Sequence, residues 1–399
     1  MKRVDFTNTQ VASSETARDI NRGVVLNLIR RRQPISRADL ARVSGLQRST
    51  VSLITEKLIE ESWVVYGPVG RLPRGRRPTF LRLNNRKAIL VADIRPRQIT
   101  VAVADVNGRF LAQEGMLTPP DPQTAMVGLS SRFKRLMQSH PSLLFEGIGI
   151  SVPGRFDPAT QRVVFAPNLK WSRCDLKSPL ERATGLRVEV ENAANACVLA
   201  EIWFGNSENV RDLVAVTVSE GIGVGIFTNG QLSLGQHGMA GEFGHVPFDP
   251  NGPPCTCGFH GCWELYASNR AALRYYHESR SAPENGLAFE DLLALADARD
   301  AQALKALDKM SRALGRGMRT IVRSLAPEEI VVVGEFARHW NRLGPLITEE
   351  VAAGVLAGNP PKVRPAAEPG MARLRGTVAL VLKKYFGPAE RVADERKSA

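Results

Sequence analysis

Two Asn-Gly dipeptides, Asn107-Gly108 and Asn229-Gly230, lie 122 residues apart, and each follows a pair of short apolar, β-rich runs. The first pair is "AILVADI" (88–94) and "QITVAVADV" (98–106), with "RFLAQEG" beyond the turn; the second is "DLVAVTV" (212–218) and "GIGVGIFT" (221–228), with "QLSLG" beyond it. Asn-Gly between such runs is a hairpin signal, because both residues tolerate the positive φ that a tight, right-twisted turn demands. Self-similarity at this spacing predicts two related lobes with a cleft between them. Helical runs such as "MVGLSSRFKRLMQ" and "RALGRGMRTIVRS" intervene, so the body from residue 88 onward reads as α/β. At 399 residues the chain is too long for one core, and two or three domains are expected.

The segment before the first strand has a different character. Residues 1–88 hold 18 Lys+Arg against 7 Asp+Glu, so +11 of the total charge of +13 sits there. A basic block on a near-neutral body is the footprint of nucleic-acid binding. Within it, "ARDINRGVVLNLIRRR" (17–32) predicts a helix with Ile20, Val24, Leu26, Leu28 and Ile29 inward. Ser36 with Asp39 three residues later predicts a capped second helix ending at Gly45. "LQRSTVSLITEKLIEE" predicts a third, with Val51, Ile54, Leu58 and Ile59 inward, and with Gln47, Arg48, Ser49, Thr50 and Ser52 at its outer N-terminal end. This is the helix-turn-helix order, whose second helix enters the major groove by its N-terminal residues. Two strands, "WVVY" (63–66) and "TFLRL" (79–83), flank a Pro- and Gly-rich loop carrying Arg71, Arg74, Arg76 and Arg77. Such a loop suits DNA backbone or minor-groove contact, so residues 1–86 read as an α+β winged-helix domain for double-stranded operator DNA.

No apolar run approaches the ~18 residues of a membrane span, and the first residues lack a leader's apolar core. A cytoplasmic protein with no membrane partner is expected. Its five cysteines are Cys174 and Cys197, which stand alone, and Cys255, Cys257 and Cys262, which cluster. That distribution fits a reduced compartment with one metal site. The cluster lies in "EFGHVPFDPNGPPCTCGFHGCWE" (242–264), where His245 and His260, with His237 just upstream, offer a fourth ligand. Three thiolates and one imidazole make a closed tetrahedral zinc site, which has no open position to activate water and is therefore structural.

The same stretch, with "ISVPGRFD" (150–157), "PNLKW" (167–171) and "ENAANA" (191–196), resembles the signature of the ROK family of repressors, open reading frames and kinases. The resemblance covers about residues 88–385, and a winged helix before it is what the repressor branch carries. It implies an actin-like, RNase H-like body of two lobes: 88–205, completed by a C-terminal helix about 371–386, and 206–370, bearing the metal motif. Residues 387–399 read as a polar tail. It implies zinc on His245, Cys255, Cys257 and Cys262, and a sugar or sugar phosphate held by Asn192, Glu242, His245 and Glu264.

At four places the chain departs from the kinase pattern. Ala193 stands where kinase members carry the Asp that acts as general base on the sugar hydroxyl, and an alanine takes no proton. The first phosphate loop reads Asp93-Ile94-Arg95-Pro96-Arg97, without glycines and with a proline that removes a backbone N–H. The second, Ser219-Glu220-Gly221, would set a carboxylate against phosphate, and Gly334-Glu335 replaces an adenosine-side Gly-Gly. Hence no catalytic residues and no ATP are expected: the body reads as a sugar sensor on a transcriptional regulator, most simply a repressor of carbohydrate-utilisation genes, with a bifunctional ATP-dependent hexose kinase that also binds DNA as the alternative. Two-fold operators favour a homodimer or homotetramer.

Overall fold

The computed structural model describes residues 14–69, 79–157, 160, 162–207, 210–279 and 286–386. The predicted wing arginines Arg71, Arg74, Arg76 and Arg77 and the tail 387–399 lie outside the described residues.

The chain opens with α1 (Ser14–Arg32), β1 (Ile35–Ser36), α2 (Arg37–Ser44), α3 (Arg48–Glu60), β2 (Val64–Val69) and β3 (Thr79–Leu83). The Ser36 side chain accepts from Asp39 N at the start of α2, and Gly45 ends that helix at φ 73°, as the sequence pattern requires. The strands form a small antiparallel sheet in the order β1-β3-β2. The inner stripe of α1 differs from the expectation: Val25, Leu26 and Ile29 are buried, whereas Ile20 and Val24 are 45% and 40% exposed. The stripe turns because α1 is covered by α2 and α3 and also by the last helix of the chain.

The body contains two sheets of one topology. The first is built from β4 (Lys87–Ile94), β5 (Gln98–Asp105), β6 (Phe110–Leu117), β7 (Leu144–Val152) and β11 (Val188–Asn192), in the order β11-β7-β4-β5-β6. A hairpin sheet of β8 (Arg155–Asp157), β9 (Arg162–Ala166) and β10 (Trp171–Cys174) extends it, and α4 (Pro122–Ser139) and α5 (Lys177–Thr184) cover one face. The second comprises β12 (Leu213–Val218), β13 (Ile222–Thr228), β14 (Gln231–Leu232), β15 (Glu329–Val333) and β16 (Lys362–Pro365), in the order β14-β13-β12-β15-β16. In each sheet the first three strands run antiparallel and the last two join in parallel. The Asn107-Gly108 and Asn229-Gly230 turns connect the corresponding hairpins, so the repeat read from the sequence is a repeat of topology. Helices α7 (Glu264–Ala267), α8 (Asn269–Glu278), α9 (Phe289–Asp297), α10 (Ala301–Leu325) and α11 (Trp340–Ala352) cover the outer face of the second sheet.

Between the sheets lie α6 (Ala193–Phe204) and α12 (Ala372–Phe386). Helix α6 is apolar nearly all round, as a helix covered on every side must be. It crosses α12 at Gly376, where a Cβ would fall on the Ala196 carbonyl. Alternate residues of β4 point to opposite cores: Leu90 and Ala92 pack with α4, whereas Ile89 and Val91 pack with α12, α1 and Trp63 in a core that runs unbroken into the N-terminal segment. No helix among the described residues is long and apolar enough to cross a membrane.

Candidate functional site

The carboxyl ends of β4, β7, β11, β12 and β15 converge on the gap between the two sheets, where open α/β sheets bind ligands. Asn192 ends β11 and caps α6. Its Oδ1 accepts from Ala194 N and its Nδ2 donates to the Gly154 carbonyl, both at 2.7 Å. One amide proton and one lone pair are thus left for a ligand. Beside it, buried Glu191 accepts from Asn192 N at 2.8 Å and Asn195 Nδ2 at 2.9 Å, and burial holds its carboxyl above the usual range. Its carboxylate is committed to the start of α6 rather than offered at Ala193.

Across the gap, the motif 242–264 folds into a 3₁₀ turn (Glu242–His245) and a loop pinned by the bridges Pro247–Cys262 and Pro254–His260. Ligand atoms of His245, Cys255, Cys257 and Cys262 all lie within 4.8 Å of one another. Cys257 Sγ is 3.5 Å from Cys262 Sγ, and His245 Nδ1 is 3.7 Å from Cys255 Sγ. Four ligands at the bond lengths of tetrahedral zinc stand about 3.5–3.8 Å apart, so the donor set and these two pairs fit that ion. His260 and His237, the rival fourth ligands, fall outside the cluster. Glu264, buried, sits against it, with Oε1 3.4 Å from Cys255 Sγ and 3.8 Å from His245 Nδ1; Glu242 Oε2 is 4.0 Å from His245 Nε2. The structure therefore brings Glu242, His245 and Glu264 together and keeps Asn192 on the facing wall. The turn into β13 links the walls: a Cβ on Gly221 would collide with the Glu264 carboxylate, and one on Gly223 would press on Ala194.

Deeper in the gap, Arg95 Nε pairs with Asp93 at 2.6 Å and its Nη1 with Glu335 at 3.3 Å, tying the end of β4 to the turn after β15. Asp93, 2% exposed, also accepts from Ser151 Oγ at 3.0 Å and lies 4.0 Å from Arg373 Nη1. Arg373 reaches Ser219 Oγ at 3.5 Å, and Arg270 donates to the Glu220 carbonyl. Apart from the neighbouring pair Asp93 and Arg95, these ties join residues far apart in the chain, Asp93 to Arg373 and Arg95 to Glu335 among them, and nothing local in the sequence announces them.

In the N-terminal segment, Gln47, Arg48 and Ser49 are exposed at the start of α3, while Thr50 and Ser52 are half-buried. Two residues escaped the sequence reading. Thr55 is buried, accepting from Arg37 Nε at 2.9 Å, and Leu53 is 70% exposed on the outer side of α3.

A two-lobed body of this topology with a His-Cys₃ cluster at the gap matches a known family description, "ROK family", over residues 92–384. The chain belongs to the ROK family. Among its relatives is the xylose repressor of Bacillus subtilis (strain 168), 34% identical over 333 residues, covering 81% of this chain and 84% of that protein. A solved ROK family transcriptional regulator, a homologue of the E. coli MLC protein, superposes with a TM-score of 0.80 at 27% identity, covering 94% of this chain and 98% of that one. A ROK family glucokinase from Streptomyces griseus, solved with glucose and AMPPNP, gives a TM-score of 0.67 at 29% identity over 73% of this chain and 98% of its own. The fold is thus the one shared by ROK repressors and kinases, as the motifs implied.

Proposed function

We propose that this chain is a sugar-responsive, DNA-binding transcriptional regulator, a repressor of carbohydrate-utilisation genes whose kinase-like body senses rather than phosphorylates. The observation that carries this reading is the extent of the two structural matches. Nearly all of the glucokinase is accounted for within 73% of this chain, whereas the regulator matches 94% of it. The family match begins at residue 92, after α1–α3 and their small sheet. Gln47, Arg48, Ser49, Thr50 and Ser52 lead α3 into the major groove, where exposed Leu53 is placed to meet a thymine methyl. Arg71, Arg74, Arg76 and Arg77 add sequence-independent affinity. Operator symmetry calls for a homodimer or homotetramer.

In the body, Asn192, Glu242, His245 and Glu264 hold the sugar, and His245, Cys255, Cys257 and Cys262 hold a structural Zn²⁺. A metal held through Nδ1, the ring nitrogen beside Cys255, would fix the His245 tautomer and leave Nε2–H to donate to a hydroxyl. Phosphoryl transfer has little support. Ala193 offers no base, Pro96 offers no backbone N–H, and Arg95 with Asp93 and Glu335 occupies the phosphate end of the gap. The test is duplex DNA selected by the full-length protein from a random pool. A free sugar should release it, and a coupled ADP-release assay with that sugar should stay flat. Turnover near the ~1–100 s⁻¹ usual for kinases would overturn the reading.

A further inference from the structure

The first lobe carries a second cavity, and none of the residues described above at the gap between the sheets lines it. Its walls are one face of α4, the chain from Ser172 to Asp175 at the end of β10, Arg162 at the start of β9, and Pro179 and Arg182 of α5. The lining positions of α4 recur at helical spacing from Gln123 to Lys134, so they share one side of that helix. Buried Trp171 donates Nε1 to the Pro120 carbonyl at 3.2 Å, which fixes β10 to the start of α4 and holds the two walls together. The volume, ≈ 980 Å³, is that of the larger ligand sites, which span ~300–1,000 Å³.

The lining sets Lys134, Arg162, Arg173 and Arg182 against a single carboxylate among the described residues, Asp175. That carboxylate is already engaged. Its Oδ1 accepts from Lys177 N at 2.9 Å and Ser178 N at 3.0 Å; burial alone would raise its pKa, but Ser178, Lys177 and Arg162 hold it below the ordinary value. Lys134, Arg173 and Arg182 have no hydrogen-bond or ion-pair partner among the described residues. Arg173 also sits at φ 46°, a left-handed backbone that costs a non-glycine residue energy and that clusters at binding sites.

We propose that this cavity binds a small polyanion, one bearing two or more phosphate or carboxylate groups. Guanidinium forks and an ammonium with no partner in the chain are the donors such oxyanions need, and Ser130, Ser131 and Ser172 add neutral ones. No aromatic ring lines the cavity among the described residues, so nothing is placed to stack a base, and the ligand is a compact anion rather than a nucleotide. The concave shape suits a small molecule better than a duplex.

The experiment is calorimetric titration of the full-length protein with inorganic phosphate, pyrophosphate and citrate at fixed ionic strength. Pyrophosphate or citrate should bind at least ~10-fold tighter than phosphate, because its second anionic group engages further charged donors. Pyrophosphate favoured over citrate makes the groups phosphates and the reverse makes them carboxylates; either supports the proposal. Arg173→Ala and Arg182→Ala should each weaken the tighter probe roughly 10-fold, the low end for a hydrogen bond from a charged donor. Arg173→Lys keeps the charge without the fork and should recover part of the loss. Arg173→Gly suits the φ of 46°, so it should melt no lower than the wild type while binding as poorly as Arg173→Ala. Wild-type binding of pyrophosphate and citrate by Arg173→Ala, or no binding of either by the wild type, overturns the proposal. A weaker, less salt-dependent affinity of Arg173→Ala for unspecific duplex, with probe binding unchanged, assigns these cations to DNA and overturns it as well.

Discussion

Cys257 shows how much one side chain decides here. Its sulfur is 3.5 Å from that of Cys262, which lies in the loop strand bridged to Pro247, two residues after His245. Without metal, burial and the neighbouring thiols push the Cys262 thiol up, so the loop is poorly arranged as a set of free thiolates and well arranged around a cation. Cys257→Ser should therefore abolish stoichiometric zinc, read by elemental analysis, and weaken the sugar response by at least ~10-fold. Binding to unspecific duplex DNA should change little. Stoichiometric zinc retained in the variant would remove Cys257 from the ligand set. At this scale the sequence was partly legible. The three cysteines announced a cluster able to hold a metal and the resemblance named His245 as its partner, but spacing alone left three histidines open; the fold sets His245, and neither His237 nor His260, among the sulfurs. Arg95 was legible as a missing glycine but not as a tie, because Asp93 and Glu335 reach it from different sheets.

Among the elements, α6 and α12 make the extensive contact that joins the two sheets, and Gly376 permits it. Gly376→Ala puts a methyl group on the Ala196 carbonyl with backbone on both sides. The cost should reach or exceed the ~1–3 kcal/mol typical of overpacking, read as a fall in melting temperature. A second test concerns Glu329 on β15. Burial alone would raise its pKa, but Ser207, Lys362 and Arg364 hold it below the ordinary carboxylate value. A depressed folded pKa gives stability that is present above the unfolded value and lost as pH falls through the folded one. Glu329→Gln should therefore destabilise the protein at pH 7 and flatten its loss of stability below about pH 4.5, followed by thermal melts across pH. The two hairpins were legible because Asn-Gly turns and β-rich runs are local signals. The stripe of α1 was not, because α12, some 350 residues away, decides which side of it is covered.

At the scale of the whole molecule, α6 spans the distance between sensor and reader. It starts at Asn192 and Ala193 in the gap and ends at Trp203 and Phe204 against α1 and α12. The Arg30 guanidinium lies 4.6 Å from the Trp203 ring centroid and donates to the Trp203 carbonyl at 2.6 Å. Trp203 also meets Phe386 edge-on at 5.4 Å, and Phe386 packs on Trp63 beside the small sheet. On the proposed reading, a sugar that bridges Asn192 to the His-Cys₃ loop would change the balance between lobe arrangements by its differential affinity for them. A rigid helix covered on all sides can carry that change to α1 and so to α3. Trp203→Ala should leave sugar affinity within about 3-fold of wild type, because Trp203 lies at the opposite end of α6 from Asn192. It should cut the sugar-induced change in operator affinity several-fold, since coupling energies of ~1–3 kcal/mol are within reach of one lost aromatic and cation–π contact. Operator affinity measured with and without saturating sugar gives the coupling directly, and thermal melts check that the variant is folded. Full sugar control of operator binding in a folded Trp203→Ala protein would place the transmission elsewhere than at the end of α6.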